Sequence, residues 1–272
     1  MYFNIIIIWH GLCFYLDERI SVTCPLKPVQ EYAMIKKLTT ALMLAAVFGT
    51  SAAYAAPIIF FGENQTPGGT VSGDPLTAHN TFVSNLSGVG SEGFESYASG
   101  TGTPRTIAFP GSSGSITATL NGNGNVENLT SSGRFNTTPM GRQWWEVSGM
   151  FDIAFGQAIS AFGFYGTDIG DFNGQITLAL TDINGIVTNL VVPNTVNGRN
   201  ASLLFYGFID SGNSYTSIAF GNTNAGTDFF GFDDMIIGDS RQVSIPEPAT
   251  LALLGLGLIG LATARRNKTK AA

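Results

Sequence analysis

Val147-Ser148-Gly149-Met150-Phe151-Asp152-Ile153-Ala154-Phe155 puts Val147, Gly149, Phe151, Ile153 and Phe155 on one side of an extended chain and the intervening residues on the other. A period of two is the signature of a strand with one buried face. Ile176, Leu178 and Leu180 repeat the pattern over 175–182, and apolar runs predict further strands over 115–120, 158–165, 186–192, 202–209, 215–220 and 229–237. Turn chemistry separates them. Asp182-Ile183-Asn184-Gly185 and Asp171-Phe172-Asn173-Gly174 each place Asn-Gly where a hairpin needs positive φ. Many short strands with marked turns, and no apolar pattern at helical spacing beyond a turn or two, predict an all-β domain. The expected form is an antiparallel β-sandwich, jelly-roll-like. Residues 56 to about 114 are richer in Gly, Ser and Pro and read as weaker strands wrapping the sandwich edges.

The chain around this domain carries two address signals. Met34-Ile35-Lys36-Lys37, an apolar stretch over 38–48 and Ala53-Tyr54-Ala55 have the layout of a secretory signal peptide over 34–55, cut by signal peptidase before Ala56. Residues 1–33 precede it with an apolar start and no periodicity. They read either as an extended signal anchor or, the favoured reading, as sequence upstream of the true start codon. At the other end, residues 244–272 hold Ile245-Pro246-Glu247-Pro248, sixteen uncharged residues over 249–264, and then Arg265, Arg266, Lys268 and Lys270. Sixteen helical residues rise roughly 24 Å, slightly short of a hydrocarbon core, so a transmembrane helix there suits a transient anchor, with Arg265 and Arg266 as a basic stop on the cytoplasmic face.

The order Pro-Glu-Pro, apolar helix, basic end resembles the PEP-CTERM sorting signal of Gram-negative bacteria that make exopolysaccharide. The resemblance implies processing by the membrane transpeptidase exosortase, with Pro246, Glu247 and Pro248 as the sorting motif. It implies an exported protein, held in the membrane in transit and then placed at the cell surface or outside it.

Between the signals, residues 56–243 hold fifteen acidic residues, five arginines and no lysine, a difference of minus ten. That sign repels phosphates and excludes nucleic acid as a partner, while calcium and neutral polysaccharide remain compatible. Both cysteines, Cys13 and Cys24, lie in the upstream piece, so the exported domain has no thiol chemistry and no disulfide. His79 is the one histidine after the signal peptide, which removes His-based zinc and Cys-His chemistry. No Gly-x-Ser-x-Gly elbow or recognisable catalytic glutamate is present, and the expectation is a non-enzyme.

Phe229-Phe230-Gly231-Phe232-Asp233-Asp234-Met235-Ile236-Ile237-Gly238 places two adjacent carboxylates in an apolar strand. Alternation puts Asp233 with Phe229, Met235 and Ile237, and Asp234 with Phe230, Phe232 and Ile236. One carboxylate therefore meets a buried surface, where it must be paired, protonated or bound to a hard cation. The segment resembles the last core strand of PEP-CTERM jelly rolls and is similar to carbohydrate-binding-module-type sandwiches. The latter resemblance implies a structural Ca²⁺ on Asp233 or Asp234 together with an early acid, for which Glu95 is the matching position. The alternative is a pair of solvated aspartates at a strand end. Asp168 and Asp171, with Asn173 nearby, form a weaker oxygen-rich loop that also reads as a capped turn. Trp144 and Trp145 beside Arg142 and Gln143 could stack on sugar rings, although neighbours on a strand face opposite ways and one should fill core. The Asn-x-Ser/Thr sites at Asn64, Asn85, Asn128, Asn136 and Asn200 reflect composition.

The expected function is that of an exported surface or matrix protein with a structural or adhesive role. The alternatives are a carbohydrate-binding module for exopolysaccharide and, further off, a secreted glycosidase.

Overall fold

The computed structural model describes residues 56–129, 133–224 and 228–244, together with residues 8–9 and 12–13. The signal peptide over 34–55, the expected span over 249–264, the Pro246-Glu247-Pro248 motif and the basic stop at Arg265 and Arg266 lie outside the described residues. No helix among the described residues is long and apolar enough to cross a membrane. Strands β1 (Ile8–Trp9) and β2 (Leu12–Cys13) pair antiparallel within a first unit, Met1–Ala53. The second unit, Tyr54–Ala272, holds β3 (Ile58–Asn64), helix α1 (Gly73–Ser84), β4 (Ser91–Glu92), β5 (Arg105–Gly111), β6 (Gly114–Glu127) and β7 (Trp144–Ile159). It continues with β8 (Ala161–Thr167), β9 (Ile176–Asp182), β10 (Val187–Val191), β11 (Leu203–Ile209), β12 (Tyr215–Asn222) and β13 (Phe229–Gly238).

Strand β7, which contains the alternating 147–155 segment, turns one hydrogen-bonded sheet into two layers. Along one side it pairs with β6. Along the other its first residues pair with β13 and its later ones with β12. One layer runs β5-β6-β7-β12-β9-β10 and the other β7-β13-β8-β11-β3, with every pairing antiparallel and β4 beside β13 where β7 has left it. After β7 the chain passes back and forth between the layers, as in a jelly roll. The expected all-β sandwich is what the domain forms.

The layers meet through aromatic rings. Phe220 of β12 lies 5.6 Å from Phe164 and 5.9 Å from Phe232, and Phe208 lies 5.7 Å from Tyr215. These edge-to-face contacts fill a core that includes Val147, Phe151, Ile153 and Phe155, the face read from the alternation.

A second apolar cluster lies on the outer side of β8 and β11, which is why both strands are buried along their whole length. Its lid is α1, which sequence periodicity did not reveal. The helix buries only Pro75, Ala78 and Phe82, too few and too small to write an apolar stripe. Phe82 is fully buried. Its ring rests over Gly163 and Gly207, which face each other across β8 and β11, and a Cβ on Gly163 would come within 2.8 Å of it.

The Asp182–Gly185 turn is the expected hairpin. Gly185 has φ +79°, and Asp182 Oδ1 accepts the N–H groups of Asn184 and Ile186 at 2.7 and 2.8 Å. Asn173 also has positive φ, but its turn carries the chain from one layer to the other, because β8 and β9 do not pair. Residues 56 to 114 do more than wrap edges. They supply β3 as an edge strand, α1, β4, and a β5–β6 hairpin. The domain closes beside α1, where Val243 bridges Leu86 and the N–H of Ser244 donates to the carbonyl of Asn85 at 2.8 Å.

Candidate functional site

Strand β13 does not alternate as a simple strand. Asp234 has φ +46°, and the register with β8 shifts between Asp233 and Ile236. This bulge adds a residue, so Phe230 and Phe232 before it and Met235 and Ile237 after it all reach the inter-layer core, while Ile236 joins the outer cluster. The face assignment expected from plain alternation is thereby corrected: Asp233 does not share a face with Met235 and Ile237.

Asp233 is fully buried beneath the segment that precedes β7. Its Oδ2 accepts the N–H of Thr137 at 2.7 Å and lies 2.9 Å from Thr137 Oγ1, and its Oδ1 accepts the N–H of Asp234 at 2.9 Å. Thr137 Oγ1 is also 2.9 Å from Oδ2 of Asp234, whose Oδ1 accepts the hydroxyl of Thr138 at 2.8 Å. One hydroxyl carries one proton and cannot donate to two carboxylates at once. Burial and then the charge of Asp234 push the Asp233 carboxyl well above the usual carboxylate range. The arrangement closes if Asp233 is the acid, donating to Thr137 Oγ1, which donates onward to Asp234.

The early acid next to this pair is Glu92, not Glu95. Burial raises the Glu92 carboxyl, the N–H of Phe94 opposes that rise, and the charge of Asp234 adds to it. Glu95 instead accepts the N–H groups of Arg142 and Gln143 at 2.8 and 2.7 Å. Glu95, Asp233 and Asp234 are thus not assembled as one ligand set. Among the described residues no group of three or more His, Cys, Asp or Glu side chains is arranged to hold a metal ion. The oxygens of Asp233 face the N–H groups of Thr137 and Asp234, and with Glu95 held elsewhere the three side chains do not form the expected Ca²⁺ ligand set. They latch the 136–143 segment to the sheet.

Trp144 and Trp145 are both buried. Trp145 packs 5.7 Å from Phe94 in the inter-layer core, and Trp144 lies over Gly231 on the other face of the sheet. Neither offers a ring to a sugar.

A different arrangement stands at one end of the sandwich. Asp168 has φ +65°, and its Oδ1 accepts the N–H of Ala201 at 2.9 Å. Arg134 joins Glu146 at 2.8 Å and Asp168 at 3.4 Å. Asp228, buried at the entrance to β13, accepts the N–H of Gly170 at 3.1 Å through Oδ2, while its Oδ1 has no hydrogen-bond partner. Burial first, with Asp171 and Asp168 adding repulsion against the Gly170 hydrogen bond, pushes the Asp228 carboxyl up to about 7. Beside it a groove of about 370 Å³ is lined by Met150, Thr177, Phe220, Asn222, Asn224 and Asp228. Amide, hydroxyl and carboxyl groups on an apolar floor suit a neutral, hydroxyl-rich ligand. Asp168 and Asp171 were visible in the sequence as an oxygen-rich loop. Asp228 was not, because only the fold brings it to that loop.

Comparisons with known proteins address the tail first. Residues 244–266 match the PEP-CTERM protein-sorting motif. Comparison with curated protein sequences gives no match. Among solved structures, the chain is similar to the C-terminal family 22 carbohydrate-binding module of Clostridium thermocellum Xyn10B, at 15% identity and a TM-score of 0.33, over 56% of this chain and 94% of that one. TmCBM61, solved in complex with β-1,4-galactotriose, is similar at 14% identity and a TM-score of 0.26, over 54% of this chain and 93% of that one. The enzymatically active domain of tailspike protein 4 from bacteriophage CBA120 aligns at 14% identity and a TM-score of 0.28, over 45% of this chain and 19% of that one. Scores this low transfer no ligand and no activity.

Proposed function

We infer that this chain, an exported protein whose residues 244–266 form a PEP-CTERM sorting motif, works outside the cell as a surface or matrix component with a structural or adhesive role. The motif is the observation that carries the reading. It implies a substrate of exosortase, held at the membrane by its C-terminal region while it is processed. In this reading Glu247 lies between two prolines that keep the segment out of helix and sheet, where a membrane transpeptidase can take it. The acidic, lysine-free domain suits an environment of neutral polymer and cations. The test is Pro246→Ala combined with Glu247→Ala in the producing cell. The variant should stay in the membrane fraction while the unaltered protein leaves it, and equal release of both would sink the reading.

A second reading, a carbohydrate-binding module for exopolysaccharide, is favoured by the groove at Asp228. Its site then differs from the expected tryptophan platform: Thr177, Asn222 and Asp228 would meet sugar hydroxyls, and apolar carbons of Phe220 and Met150 would meet the ring faces. Affinity electrophoresis through gels containing the host polymer tests it. Retardation lost in Asn222→Ala supports the groove, and unretarded migration of the unaltered protein removes this reading while leaving the sorting one intact.

A further inference from the structure

Strand β10 closes one layer, and β9 is the only strand paired with it among the described residues. The N–H of Val192 donates to Ile176 and the N–H of Asp182 to Ile186, which fixes the alternation of the ladder. Even-numbered residues of β10 turn their backbone groups towards β9. Val187, Asn189 and Val191 therefore point theirs away, along the open edge.

Proteins usually blunt such an edge with charge, proline or a bulge. The opposite edge of the same layer, β5, carries Arg105 and Pro110. Strand β10 has none of these. Residues 183–198 contain no charged side chain, although the domain around them has ten more acidic than basic residues. Val187 and Val191 are 53% and 49% exposed, and the neighbouring Ile183 and Ile186 are 66% and 63% exposed. A partner for this edge must be uncharged, must bring its own open ladder and must bury aliphatic groups.

The strand itself meets those terms. Val187-Thr188-Asn189-Leu190-Val191 is nearly symmetric about its centre in side-chain character. Set antiparallel to a second copy about Asn189, it places Val187 opposite Val191 and Asn189 opposite Asn189. All three positions have outward-facing backbone groups, so every one becomes a hydrogen-bonded pair. The same register sets Ile186 across from Val192 of the second copy and brings Ile183 near its Val196. Acidic copies that would otherwise repel can meet here without a like charge between them.

We propose that β10 is a self-pairing edge through which two copies of this chain join their β5-to-β10 layers into one continuous sheet about a two-fold axis at Asn189. The inference concerns assembly and stands apart from both the sorting and the ligand readings.

The test is register-specific cross-linking of the full chain in detergent micelles, in a Cys13→Ser, Cys24→Ser background. The Cα atoms of a hydrogen-bonded antiparallel pair lie about 5.5 Å apart, within disulfide reach. Under mild oxidation Asn189→Cys should give a covalent dimer. Val187→Cys alone should not, and Val187→Cys with Val191→Cys should restore it. In sedimentation the unaltered chain should be a reversible dimer, and Val187→Lys with Val191→Lys a monomer with the same far-UV circular dichroism. A monomer at up to about 100 µM, equal cross-linking at 187 and 189, or a lysine variant that keeps its oligomeric state would each overturn the proposal.

Discussion

The backbone N–H of Thr137 donates to Oδ2 of Asp233 at 2.7 Å, joining residues ninety-six positions apart in the chain. Through this contact the segment before β7 is fixed to the bulge in β13. The second contact sets Thr137 Oγ1 2.9 Å from Oδ2 of both Asp233 and Asp234, so one hydroxyl stands between the two carboxyl groups.

The latch predicts a contrast between isosteres. Asp233→Asn keeps one acceptor oxygen, which serves the N–H of Thr137 or of Asp234 and leaves the other facing the amide NH2, and should cost about 1–2 kcal/mol. Asp233→Ala leaves two buried donors without a partner and should cost about 2–4 kcal/mol. Urea unfolding of the two variants checks this. Equal losses would mean that the oxygen kept by asparagine holds neither N–H and that the latch needs both carboxyl oxygens.

Asp228 predicts how stability varies with pH. Its folded carboxyl is pushed up to about 7, against about 4 in an unfolded chain. The folded state therefore holds the proton more tightly, and the stabilisation is fully present below about pH 4 and lost as pH rises through 7. Burial also raises Asp233, Glu92 and Asp168, in the same direction. Melting temperatures should fall from pH 5 to pH 8, and Asp228→Asn should flatten the part of that slope between about pH 5 and 7. An unchanged slope would remove Asp228 as its source.

The seat of Phe82 predicts two losses at one place. Phe82→Ala should cost about 3–5 kcal/mol, as expected for emptying a buried aromatic position. Gly163→Ala should also destabilise, because its new methyl would stand 2.8 Å from the ring. Their double variant should cost less than the sum, since removing the Phe82 ring leaves the methyl only the Phe205 ring, 2.9 Å away, to displace. Strict additivity in chemical denaturation would show that the helix does not sit on the glycine pair.

The carboxylates of β13 predict indifference to chelation. With Glu95 bonded to the Arg142 and Gln143 N–H groups and Asp233 facing Thr137, a chelator should leave the melting temperature unchanged. A drop that added calcium reverses would restore the metal reading.

Much of the sandwich is written in short-range pattern. The period of two over 147–155, the runs that became β8 and β11, and the Asp182–Gly185 turn each state their conformation within a few residues. What they do not state is which layer a strand joins. Strand β7 takes part in both, and only the pairing of β13 with its start and β12 with its later part reveals the fold in the sheet. Helix α1 stayed hidden because Pro75, Ala78 and Phe82 are a faint stripe whose force comes from the glycines beneath it. The pattern left one of the two tryptophans free for a platform, for a related reason. Adjacent strand residues do face opposite ways, but at the start of β7 both faces are covered. Two aspartates inside an apolar strand were themselves the visible sign of the bulge, since plain alternation has no place for both.

The bridge of Val243 to Leu86 and the bond from Ser244 to Asn85 set a short leash. From Ser244 to Glu247 the chain can reach only about 10 Å when fully extended. A membrane enzyme that works at Glu247 must therefore come up against the flank of the domain at the end of α1, so the folded body as well as the peptide shapes what that enzyme has to accommodate.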